Sequence, residues 1–447
     1  MLTDEKVKNG FQAWYMLCPF RHFLTLVSGL VILAHLLTRP LRDLNYWLSE
    51  HMVRPAHLWL STQTGRVPFS VAELLIALLV FSLAYYLISQ LLKLFQPHFF
   101  LRLYRTLATL VTLALTVYAG FCLLWGVYYY GDDFIAKSSL KNEPISVEQL
   151  ERVTTYFADL ASEAGERVQR DENGVYAGDR GAIIDRSPAL YRAVEKKFPC
   201  LTGPELPVKG VMCSKIMSYL DFTGFFFPFT AEANVNLDFP PALFASTVAH
   251  ELAHQRGVAK EQEANFVAVL ACLEDGDPDY VYSAALLAYT HLGNALRKAD
   301  PEAWSRVYKR LSEGVLADFA ADRAYWKQFE TPVQTVSNTV YEGFLHSYDQ
   351  SLGLKSYGAC VDLLVNYYDS RIPDAPRPAF DPDEPIDLPA EEEFSFVEGE
   401  YAAVDEDDAP VEEDDAAVDE DDAPVEAEAL PADESPDGAA PPEENNP

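Results

Sequence analysis

Along the first third of the chain, polar positions nearly vanish in three stretches. FLTLVSGLVILAHLL, beginning at Phe23, is an apolar run that its flanks extend to residues 16–38. A second stretch covers 71–92, with Glu73 near its start. The third covers 107–130 and closes on Trp125-Gly126-Val127-Tyr128-Tyr129-Tyr130. A helix needs about 20 mostly apolar residues to cross the hydrocarbon core of a bilayer. The pattern therefore predicts three transmembrane helices within a membrane region, residues 1–135, with the closing aromatics as an interfacial belt. Three nearly charge-free runs in succession are hard to read as buried core helices. No small-residue cleavage pattern follows the first run, so it reads as a span and not as a signal peptide.

From residue 141 to 370 the periodicity changes to that of an amphipathic, mostly helical domain with a small amount of sheet. A Ser-x-x-Gln capping box at Ser146 opens the first helix, and Pro188–Lys197 reads as a second. Phe222–Phe239 is rich in aromatic and β-branched residues and predicts an extended segment or hairpin. Helical spacing then recurs over 241–256, 260–273, 280–298, 301–329, 333–352 and 356–368.

After Arg371 the composition turns to Pro, Ala, Asp and Glu, and AAVDEDDAPVE occurs at Ala402 and again at Ala416. Such a segment buries too little apolar surface to offset its ordering entropy, so 371–447 is expected to be a disordered acidic tail. It also accounts for most of the net charge of -34. Residues 371–447 hold 29 acidic and 2 basic residues, a net of -27, which leaves -7 for the remainder. That mild charge gives no nucleic-acid footprint. The six cysteines form no CxxC pair. Cys200 and Cys213 flank a loop and are read as free thiols or, on an oxidising side, as a disulfide. Basic residues on the two sides of the spans tie at six each. The short basic loop 93–105 tips the domain after the third span outward.

Against this background His250-Glu251-Leu252-Ala253-His254 stands out. On a helix, positions i and i+4 share a face, so His250 and His254 can grip one zinc ion. Glu251 is then placed to act as general base on a metal-bound water. Pro241 suits the first turn of this helix and Gly257 its end. A zinc site needs a third protein ligand, and Glu261 and Glu263 follow directly. Glu261 is preferred, because Asn265 lies four residues on and can hydrogen-bond a liganding histidine from behind. Glu263, about 200° around the helix, is the alternative. Glu232, Asn234 and Asn236 alternate along a possible strand that could pair with an extended peptide substrate. Tyr282, Tyr289 and His291 are candidate donors to a developing oxyanion.

HELAHQRGVAKEQEANF, with FFFPFTAEANVN upstream and YVYSAALLAYTHLGNAL and SYGACVDLL downstream, resembles the bacterial family known as domain of unknown function 3810. The resemblance covers roughly residues 15–370. It implies N-terminal membrane helices, a zincin-like α+β domain and a metal held by the HExxH motif. The Glu261–Asn265 spacing is similar to the third-ligand helix of glutamate-type zincins, although the gap after His254 is shorter than is usual there. The expectation is a multi-pass protein of the bacterial cell membrane, carrying an extracytoplasmic zinc metallopeptidase that acts on peptide or protein. The competing expectation is an inactive, peptidase-like sensor at the membrane surface.

Overall fold

A computed structural model describes residues 14–93, 95–348 and 358–372. The acidic tail, apart from its first two residues, lies outside the described residues. Among the described residues three helices are long and apolar enough to cross a membrane: α1 (Pro19–Thr38), α4 (Val71–Leu91) and α5 (Phe99–Leu124). α1 packs along α5, where Thr25 and Thr112 hydrogen-bond at 2.8 Å. Between α1 and α4 the chain stays helical as α2 (Arg42–Leu48), a five-residue π segment (Ser49–Val53) and α3 (Arg54–Thr64).

This connecting segment is bound to the domain that follows the third span. Arg54 donates to the carbonyl of Thr202 at 2.6 Å, and Lys209 donates to the carbonyl of Val67. The two therefore lie together, as they must if the two apolar helices between them both cross the bilayer. α5 begins eight residues earlier than the hydropathy predicts and ends at Leu124. The aromatics after it form a short 3-10 helix, Gly126–Tyr130. Trp125, Val127 and Tyr128 are buried with Val53 and Ala259 in a small apolar cluster. The expected interfacial belt is thus corrected: these rings face protein, because the domain supplies an apolar surface for them.

The domain itself runs through α6 (Phe134–Ser138), α7 (Val147–Gly165) and α8 (Arg180–Arg186). The capping box of Ser146 and Gln149 is formed at the start of α7. Pro188–Lys197, expected as a helix, instead falls in two short 3-10 turns (Ser187–Arg192 and Val194–Lys196). Next come β1 (Lys209–Val211), α9 (Ser214–Tyr219), β2 (Gly224–Phe227) and β3 (Glu232–Asn236). The sheet order is β1-β3-β2, with β1 parallel and β2 antiparallel to β3. The remaining helices are α10 (Phe244–Gln255), α11 (Glu261–Asp275), α12 (Pro278–Ala299), α13 (Pro301–Tyr308), α14 (Glu313–Trp326), α15 (Pro332–Ser347) and α16 (Ala359–Tyr368).

One continuous core joins α7, the sheet and α10–α14 with α16. α12 lies against α7, α10 and α11. α10 is almost wholly enclosed: every residue from Phe244 to His254 is buried. A helix apolar all round buries easily, but this one carries His250, Glu251, Ser246 and Thr247 inward, and buried polar groups must find partners. Ser246 and Thr247 find theirs in the carbonyl of Leu243, each at 2.9 Å. The partners of the His-Glu-His group define the site.

Candidate metal centre

α10 is entered through a 3-10 turn beginning at Pro241. It ends in a Schellman motif, in which Gly257 N–H donates to His254 O at 2.9 Å and Val258 N–H to Ala253 O at 3.2 Å. Gly257 adopts φ +85°, a left-handed conformation that favours glycine. This turn aims the carbonyl of Val258 back at His254, whose Nδ1 lies 2.7 Å away. One turn into α11, the side-chain oxygen of Asn265 stands 2.7 Å from His250 Nδ1. Both acceptors lack hydrogens, so each imidazole donates through Nδ1–H, and its Nε2 is left as a lone pair.

Those two Nε2 atoms point at the same place. They stand 2.9 Å apart, and Glu261 Oε2 lies 3.0 Å from His250 Nε2 and 3.3 Å from His254 Nε2. The three atoms converge closely enough that they could hold a cation. A tetrahedral ion with bonds of about 2.0–2.1 Å spaces its ligands about 3.3 Å apart, close to these separations. Burial opposes charge on Glu261, but positive charge on the imidazoles of His254 and His250, standing where an ion's charge would, outweighs it and holds the carboxyl well below the usual carboxylate range. Burial pushes His250 downward, and His254 adds to the effect. An ionised carboxylate with neutral imidazoles is the protonation state that binds metal.

Glu263 turns the other way. Its carboxylate accepts from Phe134 N–H at 2.9 Å and caps the start of α6. Burial and the neighbouring charge of Asp133 push its carboxyl up to about 7. The sequence left two glutamates open, and the structure brings only Glu261 to the histidines.

Glu251 lies against β2. A Cβ on Gly224 would sit 2.5 Å from Glu251 Oε1, so glycine is what lets this strand pass the carboxylate. Nothing in the hydropathy of Thr223-Gly224-Phe225 marks that approach; an isolated glycine inside a strand pattern was the available signal.

Three expectations are corrected. β3 is the central strand, so Glu232, Asn234 and Asn236 offer no free edge to a peptide. Their side chains are buried in structural roles. Glu232 caps α4, accepting from Ala72 N–H at 2.8 Å. Asn234 accepts from Ser70 Oγ at 2.6 Å, and Asn236 donates to the carbonyl of Phe222 at 3.0 Å. Tyr282 is committed to Asp318 and Arg170, and Tyr289 stacks on Phe319 at 6.0 Å between ring centroids. Of the oxyanion candidates, only His291 feels the cluster. Burial, then the charge of His250, push it down to about 4. Cys200 and Cys213 are free thiols.

Residues the sequence reading missed come from the end of the third span. Trp125 meets the His254 ring edge-on, with centroids 5.9 Å apart, and Phe226 of β2 packs on Trp125 at 4.9 Å. Tyr129 donates no proton readily: burial and the charge of Glu261 both push its phenol up. The cluster therefore adjoins the membrane end of α5.

Residues 49–365 match the family described as Protein of unknown function (DUF3810). No curated protein and no solved structure matches the chain. The matched stretch holds the whole His250–His254–Glu261 cluster and the aromatic segment beside it, and on that match the chain belongs to the DUF3810 family.

Proposed function

We propose that the chain is a membrane-anchored zinc peptidase of zincin-like type, with its site facing outward at the membrane surface. One observation carries this reading: three metal-binding atoms converge, while the opposite nitrogen of each imidazole is fixed by Asn265 or Val258. His250, His254 and Glu261 would hold the ion. Zinc in such a set polarises a carbonyl and acidifies water bound to it. Glu251, adjacent to His250 in the chain and pressed against β2, would take a proton from that water.

The outer edge of β2 supports a peptide substrate. β2 is antiparallel to β3 and ends the sheet, so the main-chain groups of Gly224–Phe227 on the side away from β3 can pair with an extended chain beside Glu251. This role replaces the one expected of β3. His291 is the remaining candidate to face charge that develops near His250.

The test uses the full chain reconstituted in lipid nanodiscs. Metal analysis is expected to find one zinc per chain in the parent and in Glu251→Gln. Cleavage of a peptide library is expected to fall by about 10²–10⁴-fold in the variant, the range for loss of a general base. Absence of bound zinc from the parent would overturn the metal assignment. Equal cleavage by parent and variant would remove Glu251 from the mechanism.

A further inference from the structure

From Trp125 onward, the exposed large apolar side chains among the described residues are confined to two neighbouring places. One is α9 with its flanks, where Met212, Ile216 and Leu220 face outward with Tyr219 and Leu237. The other is α15, where Val333, Val336 and Val340 recur at helical spacing. Ile216 is 60% exposed, Val336 63% and Val340 68%. The two elements are joined: Ser337 Oγ donates to the carbonyl of Leu220 at 2.8 Å, and Asn338 to Asp221 at 3.0 Å. α15 thus turns Ser337 and Asn338 toward the end of α9 and its valines away from it.

Among the described side chains of α15, the outward ones are Pro332, Val333, Thr335, Val336, Thr339, Val340, Gly343 and Ser347, and none of these is charged. A helix facing water looks different, and α7 exposes Glu148 and Glu163. Lys215, the cation of α9, is neutralised by Asp238 at 3.1 Å and lies over the Phe329 ring.

Both elements are fastened to the ends of the spans. The Glu73 carboxylate, in the first turn of α4, accepts from Met212 N–H at 3.0 Å and Cys213 N–H at 2.7 Å. At the other end, Phe344 packs edge-on against Phe121 of α5 at 5.5 Å, and Tyr348 hydrogen-bonds Tyr118 of α5 at 3.3 Å. The apolar surface is therefore continuous with the lipid-facing surface of the membrane helices. Large apolar side chains gathered in one place on a water-facing domain mark an interaction surface.

We infer that α9 and α15 form a shelf that beds into the same bilayer the spans cross, its ligand being the acyl chains and glycerol region of the lipid. An uncharged valine-threonine face suits shallow insertion driven by apolar burial rather than attraction to anionic headgroups. The shelf holds the domain to the membrane at a second place, independently of any catalytic role.

The test places single cysteines at Ile216, Val336 and Val340 in the full chain, with Cys200 and Cys213 changed to serine. Each is labelled with a small fluorophore and reconstituted in phosphatidylcholine nanodiscs with or without lipid bearing a nitroxide near the headgroup. A cysteine at Leu79 in α4 is the lipid-facing reference, and one at Glu163 the water-facing reference. The expected result is lipid quenching at all three shelf positions within about two-fold of Leu79, with little quenching by aqueous iodide. It should persist when the discs contain anionic phosphatidylglycerol. Labels that follow Glu163, open to iodide and blind to the nitroxide lipid, would overturn the shelf. The substitutions fall at exposed side chains, and misfolding is detected separately by thermal unfolding of each labelled protein against the parent.

Discussion

Ala249–Asn265 and Trp125–Tyr130 meet around His254, and they hold it by different means. The first segment works through directed hydrogen bonds. Asn265 and the Val258 carbonyl each take one Nδ1–H, which fixes both ring planes and leaves both Nε2 lone pairs aimed at Glu261. The second contributes shape. Trp125 closes over the edge of the His254 ring, and Tyr128 packs where Gly257 leaves room. Hydrogen bonds set the direction of the donor atoms, and packing sets where the whole hairpin of α10 and α11 rests against the membrane end of α5. Chemistry and anchoring can therefore be disturbed separately.

The largest expected effect falls on the chemistry. Glu261→Ala removes one of three donors and leaves two neutral imidazoles, so purified protein is expected to lose stoichiometric zinc. Glu263→Ala is expected to keep zinc, because Glu263 faces α6. Equal zinc in both variants would show that neither carboxylate is a ligand. Next comes the packing segment: Trp125→Ala is expected to lower stability by about 3–5 kcal/mol, as for other buried tryptophans. The readout is thermal unfolding in nanodiscs, with zinc bound at normal affinity below the transition. Loss of zinc without loss of stability would reverse the roles assigned to the two segments.

The difference also explains what could be read from the chain. The His250–His254 pair and Glu261 lie within twelve residues: helix periodicity puts the two histidines on one face, and the turn that Gly257 signals brings Glu261 back to them. The three apolar helices and the Phe222–Phe239 hairpin were legible for the same local reason. Sheet order was not, because β1 enters parallel from elsewhere and turns β3 from an edge into a centre. The Trp125–Tyr130 aromatics are compatible with lipid or with protein, and only a contact 129 residues away, His254 on Trp125, distinguishes them. The same ambiguity placed the end of the third span at Tyr130 and not at Leu124.

A smaller effect probes the hydrogen bonds without touching a ligand. Asn265→Ala takes away the acceptor behind His250 and frees that ring to rotate. Zinc affinity, measured by competition with a chromogenic chelator, is expected to fall about 10–100-fold, as for other residues that orient a metal-binding histidine. Asn265→Asp retains an acceptor and is expected to recover most of that loss. An alanine variant with unchanged affinity would mean that burial alone orients His250.

Gly257 is where the two segments touch, so it offers the finest test of their independence. Its φ of +85° costs a non-glycine residue about 1–2 kcal/mol. A methyl group there would also stand 2.9 Å from the Tyr128 ring, which must shift to admit it. Gly257→Ala is therefore expected to cost more in the parent than in a Tyr128→Leu background, where the ring is gone and only the backbone cost remains. Thermal unfolding of the two single variants and the double variant gives the coupling directly. Strict additivity would mean that the Schellman turn aims Val258 at His254 with no help from the aromatic segment. Coupling would mean that the membrane end of α5 helps to set the geometry of the metal-binding donors.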